Sequence, residues 1–311
     1  MQVLILGSSG RLGKQLVQYF IKENFFVYAH YFKNKINFNS KNVKSIVFDI
    51  NKPDNISLSY LTNIKYIINC IGELNNQSKI YETNSNSVLL FLQKIKTLNS
   101  NNIISWIQIS SIGVYGRTKE IKINEETKCY PENDYEKSKY QFENFLKSES
   151  EDKSLKYIIL RPSIIYGPNI KNNVLNGLIR IANLNFFIIP KNKNHLCPFI
   201  DVREVCEIVL QTIKKNKVSN ENFNISKNYK IEDIKNAIEK KINKKIYVFR
   251  LNDYFITIVF YIIGFFSSKM KENVLNFFLS KKKYSNSKII NLLNYKSNYD
   301  LIEFIKKKKV R

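Results

Sequence analysis

Short apolar runs rich in Ile, Val, Phe and Tyr alternate along this chain with longer segments of helical period. Val3–Leu6, Phe25–Tyr31, Ser45–Phe48, Lys65–Ile71, Ile103–Ile109 and Tyr157–Leu160 read as buried strands. Nearly continuous apolar runs of that length suit a sheet covered on both faces. Leu12–Lys22, Ile80–Leu98 and Tyr135–Lys147 read as the helices between them. This alternation predicts an α/β fold, a doubly wound parallel sheet with helices on both faces. Such a sheet binds ligands at the carboxyl ends of its strands.

The pattern loosens after about residue 165. Residues 169–193 are polar and irregular around one helical stretch. Phe199–Val202 and the helix Arg203–Lys214 look like a return to the first domain, and a small strand is expected near Ile246–Phe249. The division predicted is residues 1–165 for the sheet domain, with a return segment near 198–226, and 166–311 mainly for a smaller C-terminal substrate lobe. Phe255 opens a run to Ser268 without a charge. It is too short to span a bilayer comfortably. It reads as a core helix of the lobe or, flanked by Lys269, Lys271 and Lys281–Lys283, as a helix lying in a membrane interface.

Composition narrows the class. With 311 residues, 44% hydrophobic and 13% aromatic, the chain can bury a large core. Cys70, Cys129, Cys197 and Cys206 form no Cys-x-x-Cys pair and read as reduced thiols of a cytoplasmic protein. No secretory signal is visible before the first strand. Two histidines, His30 and His195, supply a metal site or a serine-protease-like triad poorly, so no metal is expected. Lys and Arg number 50 against 26 Asp and Glu, a formal charge of +24. The lysines are dispersed and no nucleic-acid motif accompanies them, so a nucleic-acid partner is not expected. Attraction of phosphorylated substrates or of a membrane surface fits better.

Two segments carry chemistry. Gly7-Ser8-Ser9-Gly10-Arg11-Leu12-Gly13 follows a strand and opens a helix. Its glycines permit a tight turn and close backbone approach to a pyrophosphate, and the helix end adds N–H groups and partial positive charge. The sheet domain is therefore expected to be a Rossmann-type, dinucleotide-binding one. NAD binders place an acid at the end of the second strand, on the ribose. Val27 to Lys33 holds none, while Arg11, His30, Lys33 and Lys35 could meet a 2′-phosphate. The cofactor is NAD or NADP, with a lean to NADP.

The second segment is Tyr135-Glu136-Lys137-Ser138-Lys139. Residues four apart share a helix face, so Lys139 can sit beneath the Tyr135 phenol. A free tyrosine has a pKa of about 10. A neighbouring ammonium would lower it and let the pair exchange a proton with an alcohol or ketone near pH 7. The spacing also occurs at Tyr31/Lys35, Tyr115/Lys119 and Tyr284/Lys288. Position separates them: only Tyr135 opens a helix after the strand that ends in Ser110-Ser111. Asp49, Cys70-Ile71-Gly72, Ser110-Ser111 and Arg161-Pro162 close other strands on the same edge.

This order resembles the extended short-chain dehydrogenase/reductase superfamily, in particular the NAD-dependent epimerase/dehydratase family that modifies nucleotide sugars. The family's glycine loop matches Gly7, Gly10 and Gly13, and its adenine-contacting Asp matches Asp49. Its Ser-Ser-x-x-Val-Tyr-Gly strand matches Ser110 to Gly116, with Ser111 at the catalytic position. Tyr135, Lys139 and Asn84 match the family's Tyr, Lys and helix Asn, and Arg161 to Pro168 match its Arg-Pro-x-x-x-Tyr-Gly-Pro stretch. Ser287 to Tyr295 is similar to its closing segment. The stretch before that resembles bacterial members from polysaccharide biosynthesis.

The resemblance implies an NAD(P)-dependent oxidoreductase or epimerase, with Ser111, Tyr135 and Lys139 catalytic. The cofactor would be held by Gly7, Ser9, Gly10, Arg11, Leu12, Gly13, Asp49, Ile50, Cys70, Ile71, Gly72, Asn84 and Pro162. A nucleotide sugar is the implied substrate, and a 4-epimerase and a 4-keto reductase both fit. A homodimer and peripheral membrane contact stay open, the latter with a lipid-linked sugar. A non-catalytic Rossmann protein is the competing class. The Arg that binds the substrate diphosphate in many members is absent from His195 to Val202, where Asp201 replaces a His. Lys171, Arg180, Lys191, Lys193, Arg203 and Arg250 are the replacements considered.

Overall fold

Every strand of the main sheet runs parallel to its neighbours, as the continuous apolar runs require. The computed structural model describes residues 1–52, 61–62, 64–99, 102–151, 153–191, 195–215, 218–262 and 281–307. The sheet comprises β1 (Gln2–Leu6), β2 (Phe26–Tyr31), β3 (Val43–Val47), β4 (Tyr66–Asn69), β5 (Ile104–Ile109), β7 (Leu155–Pro162) and β11 (Glu221–Ile225), with the two-residue β6 (Lys122–Ile123) outside it. Their order is β11-β7-β5-β4-β1-β2-β3. The order reverses between β1 and β4, which opens a crevice at the carboxyl ends of those two strands.

Helices cover both faces. Leu16, Val17 and Phe20 of α1 (Arg11–Lys22) meet Val205 and Val209 of α5 (Val202–Lys215) in one core. On the other face Phe91, Leu92 and Ile95 of α2 (Ser87–Leu98) join Phe142 and Leu146 of α3 (Asp134–Glu149) over Trp106. Burying each such side chain contributes about 1.5–3 kcal/mol. These two cores therefore fix the strand ends that carry the crevice. The helix expected over Ile80–Leu98 is interrupted. A π-helical turn at Glu82–Asn86 precedes α2, where the polar run offers no apolar stripe and turns Asn84 inward.

A second core gathers β8 (Ile164–Tyr166), α4 (Asn173–Asn183), β9 (Phe186–Pro190), β10 (Leu196–Asp201), β12 (Lys227–Lys230) and α6 (Ile231–Ile242). Here the structure differs from the sequence reading. β10 lies between β12 and β8 in a separate three-stranded sheet. The return to the main sheet is made by α5 and by β11, which pairs with β7. A short apolar strand reads the same in either sheet; only pairing distinguishes them. β13 (Tyr247–Leu251) pairs with β9 and leads into α7 (Asp253–Ile262). The rest of the uncharged run, 263–268, lies outside the described residues. No helix among the described residues is long and apolar enough to cross a membrane. β14 (Lys283–Tyr284) pairs with β6 and ties this segment to the loop after β5.

Candidate active site

The turn between β1 and α1 is built so that only glycine fits. Gly7 has φ +72°, and a Cβ there would stand 3.1 Å from the Cys70 backbone carbonyl carbon. A Cβ on Gly13 would lie 2.2 Å from the Gly7 carbonyl oxygen. Gly10 N–H donates to that oxygen at 3.0 Å and caps α1, whose first turn carries no acid. The first N–H groups of a helix have no intrahelical acceptor and sit at its positive end. A pyrophosphate fits this cradle, through backbone donors that a side chain would block.

The turn opens into a crevice of about 460 Å³. Gly7, Ser9, Gly10, Asp49, Ile50, Cys70, Ile71 and Gly72 line it. Lys33, considered for a 2′-phosphate, lines it as well; sequence reasoning missed Tyr31, Phe32, Asn51, Glu73, Asn76, Lys79 and Thr83, which line it too. Of the remaining selected residues, Leu12 is half-buried, and Gly13 and Pro162 are buried and outside the lining. Arg11 is exposed and donates to the Lys171 carbonyl at 2.7 Å. Asn84 is buried one layer back. It accepts from the Glu73 amide at 2.6 Å and donates to Ser138 Oγ at 3.0 Å, joining the crevice wall to α3. Burial pushes the Cys70 thiol up to about 12, so it lines the crevice as a neutral group.

His30 is not a base for a 2′-phosphate. It is buried and stacks on Phe48, centroids 3.9 Å apart. Its Nδ1 accepts from Gly7 N–H at 3.1 Å, so the proton sits on Nε2, which donates to the Phe48 carbonyl at 3.1 Å. Burial lowers its pKa to about 4, against the Phe48 hydrogen bond and Asp49, which raise it. The neutral ring clamps the glycine turn. Its carbonyl does the same by accepting from Ser8 N–H at 2.8 Å and Ser8 Oγ at 2.7 Å. Lys35 is exposed and outside the lining, so of the four bases considered for a 2′-phosphate Lys33 is the cation in the lining.

At the other end, α3 begins with a capping box between Asn133 and Glu136. That fixes the first turn, which carries Tyr135 and presents Lys139 one turn later. A methyl group at Gly72 would stand 3.7 Å from Lys139 Nζ and 4.0 Å from Tyr135 Cε2, so this residue of the crevice lining faces both side chains. The ammonium lies 5.8 Å from the phenol ring centroid. It donates to the carbonyls of Ile71 at 2.6 Å and Ile109 at 3.3 Å. The Ile71 turn is in turn held by Asn69 Oδ1 at 3.0 Å. Ser111 Oγ accepts from Gly113 N–H at 3.0 Å, leaving its own proton to donate.

The electrostatics correct the sequence reading in one respect. Lys139 was expected to lower the Tyr135 pKa. Burial instead pushes Tyr135 up to about 12, with Glu136 adding to it. Burial also lowers Lys139 to about 8, opposed by Cys70 and Glu143. The ammonium spends its donors on carbonyls, and removing both groups from water outweighs their attraction.

Beneath this pair lies a buried polar chain. Glu143, one turn after Lys139, accepts from Ser110 Oγ at 2.5 Å. It also binds Arg161 bidentately, at 3.1 and 2.6 Å. Arg161 donates to Tyr115 Oη at 2.8 Å, and Tyr115 donates to Asn224 Oδ1 at 2.8 Å. Glu143 continues the Tyr135–Lys139 spacing on the same helix face, a signal legible in the sequence. Of the anion anchors considered, Arg203 is tied to Asp201 at 2.8 Å and Arg250 to Glu232 at 3.2 Å. Lys171, Arg180 and Lys191 are exposed, and Lys193 lies outside the described residues.

The model of the NAD dependent epimerase/dehydratase family matches residues 3–226. A UDP-glucose 4-epimerase from Vibrio cholerae is 25% identical over 239 residues, 72% of this chain and 70% of that protein. An N-acetyl-alpha-D-glucosaminyl-diphospho-ditrans,octacis-undecaprenol 4-epimerase from Escherichia coli O157:H7 is 27% identical over 158 residues, 49% of this chain and 46% of that protein. The solved structure of a UDP-glucuronic acid 4-epimerase from Bacillus cereus, in complex with NAD, superposes with a TM-score of 0.73. It is 18% identical, covering 98% of this chain and 94% of its own.

Proposed function

The chain belongs to the NAD-dependent epimerase/dehydratase family, and from that premise we propose that it inverts a nucleotide sugar at C4 through a 4-keto intermediate. The observation carrying this reading is that Tyr135 and Lys139 stand together behind Gly72, a residue lining the glycine-turn crevice. When bound, the nicotinamide cofactor would supply hydride acceptance and donation. Gly7, Gly10 and the first turn of α1 would hold its pyrophosphate. Asp49 would hold the adenosine end, and Lys33, in the absence of a ribose-binding acid, favours a 2′-phosphate.

The proton work falls to this chain. Tyr135 takes the proton of the sugar's 4-hydroxyl and gives one back to the keto oxygen. Lys139 keeps a cation one helical turn from the phenol, and its charge favours the phenolate form. Ser111 donates to the reacting oxygen and fixes its distance from Tyr135. The two relatives named as 4-epimerases support epimerisation over net reduction. A second reading, favoured by the resemblance to the Escherichia coli relative, makes the substrate a sugar on a lipid diphosphate.

Incubation with UDP-glucose, UDP-N-acetylglucosamine and an undecaprenyl-diphospho sugar, followed by NMR of the C4 proton, tests the proposal. Inversion without net cofactor consumption is expected. Stoichiometric loss of NADPH on a 4-keto nucleotide sugar supplied in a parallel incubation, without inversion of the 4-hydroxy sugars, would make the protein a 4-keto reductase. Retained nucleotide with no conversion of any sugar would place it in the non-catalytic class.

A further inference from the structure

Strand β13 leaves most of its side chains in solvent. Tyr247 is 62% exposed and Phe249 55%, on the same face of the strand. Tyr254 and Phe255, in the first turn of the adjoining α7, are 70% and 52% exposed. Four aromatic rings therefore project from two elements that pack on each other. Between Lys240 and Asn252 the sequence carries five cations and no acid. Lys244 and Lys245 are exposed, and Lys245 Nζ lies 5.9 Å from the Tyr247 ring. Of these five, Arg250 is paired with Glu232 at 3.2 Å, and the nearby Asp253 is paired with Lys281 at 3.5 Å.

Exposed rings interleaved with lysines match the headgroup layer of an anionic bilayer, where amphipathic aromatics settle and cations meet lipid phosphates. A protein partner would need an acidic surface with hydrophobic pockets; a lipid surface supplies both chemistries without shape matching. We infer that the β13–α7 face docks on an anionic membrane surface. This stands apart from the reaction, and its test needs no turnover.

The test is co-sedimentation of the full chain with phosphatidylcholine vesicles containing about one-third phosphatidylglycerol, against pure phosphatidylcholine. Binding to the anionic vesicles alone is expected. Lys244→Gln/Lys245→Gln should weaken it about thirty-fold, from about 1 kcal/mol per lysine near the surface. Tyr247→Ser/Phe249→Ser should weaken it at least about tenfold. Lys41→Gln/Lys44→Gln, the same charge loss beside β3, should leave it within about twofold. Melting curves show that each variant is folded. No binding, equal binding to neutral vesicles, or equal loss in the Lys41/Lys44 control overturns the inference. So does a dimer that the aromatic variant dissociates, since the face would then be covered by a second copy.

Discussion

Replacing Glu143 with Gln removes the charge that compensates Arg161 while nearly preserving volume. Both side chains are buried, at 0% and 2% exposure. The carboxylate accepts three hydrogen bonds, two from Arg161 and one from Ser110. A glutamine offers one oxygen and turns an N–H₂ towards at least one of those donors. Breaking a buried pair by removing one partner costs about 3–5 kcal/mol. The loss of acceptor capacity puts the expected value at about 4 kcal/mol. At about 2 °C per kcal/mol for a chain of this size, the melting temperature should fall by about 8 °C. Urea unfolding and calorimetry of the ligand-free protein read both quantities. The double variant Glu143→Leu/Arg161→Met should regain at least half the loss, because an apolar pair needs no desolvation. Tyr115 would keep Asn224 as acceptor. A single-variant loss under about 1 kcal/mol, or a double variant no better than the single, would refute the reasoning.

Three further outcomes follow from the crevice. His30 has its folded pKa lowered to about 4 from 6.5, so the unfolded chain binds its proton first. Its contribution is fully present above pH 6.5 and is lost as pH falls towards 4, about 2 kcal/mol of it between pH 7 and 5. His30→Gln should flatten that part of the stability–pH profile; an unchanged slope would contradict the neutral clamp. Gly13→Ala drives a methyl to 2.2 Å from the Gly7 oxygen, so cofactor affinity by fluorescence titration should drop more than about tenfold. Lys33→Glu should move the NADPH-to-NADH affinity ratio about tenfold towards NADH, about 1.4 kcal/mol; an unmoved ratio would remove Lys33 from cofactor selection.

Much of the main sheet was legible because parallel strands buried on both faces leave continuous apolar runs, as at Val3–Leu6 and Tyr157–Leu160. The glycine turn was legible because its residue type is forced by backbone clashes. The pairing of β10 was not, since an apolar run says nothing about which sheet it joins. The role of His30 was hidden for a different reason. A histidine at a strand end reads as a surface base until the Phe48 ring and the Gly7 amide are seen to enclose it. The same applies to Tyr135. Spacing placed Lys139 beneath it, but the balance of desolvation against attraction depends on carbonyls contributed by the turn after β4 and by β5.

The proposed proton transfer at Tyr135 is tested most directly by turnover of the Tyr135→Phe variant on the accepted sugar, with cofactor content measured on the same sample. The prediction is a kcat lower by about 10²–10⁴-fold, with cofactor content unchanged. Turnover within about twofold of the unsubstituted protein would contradict it.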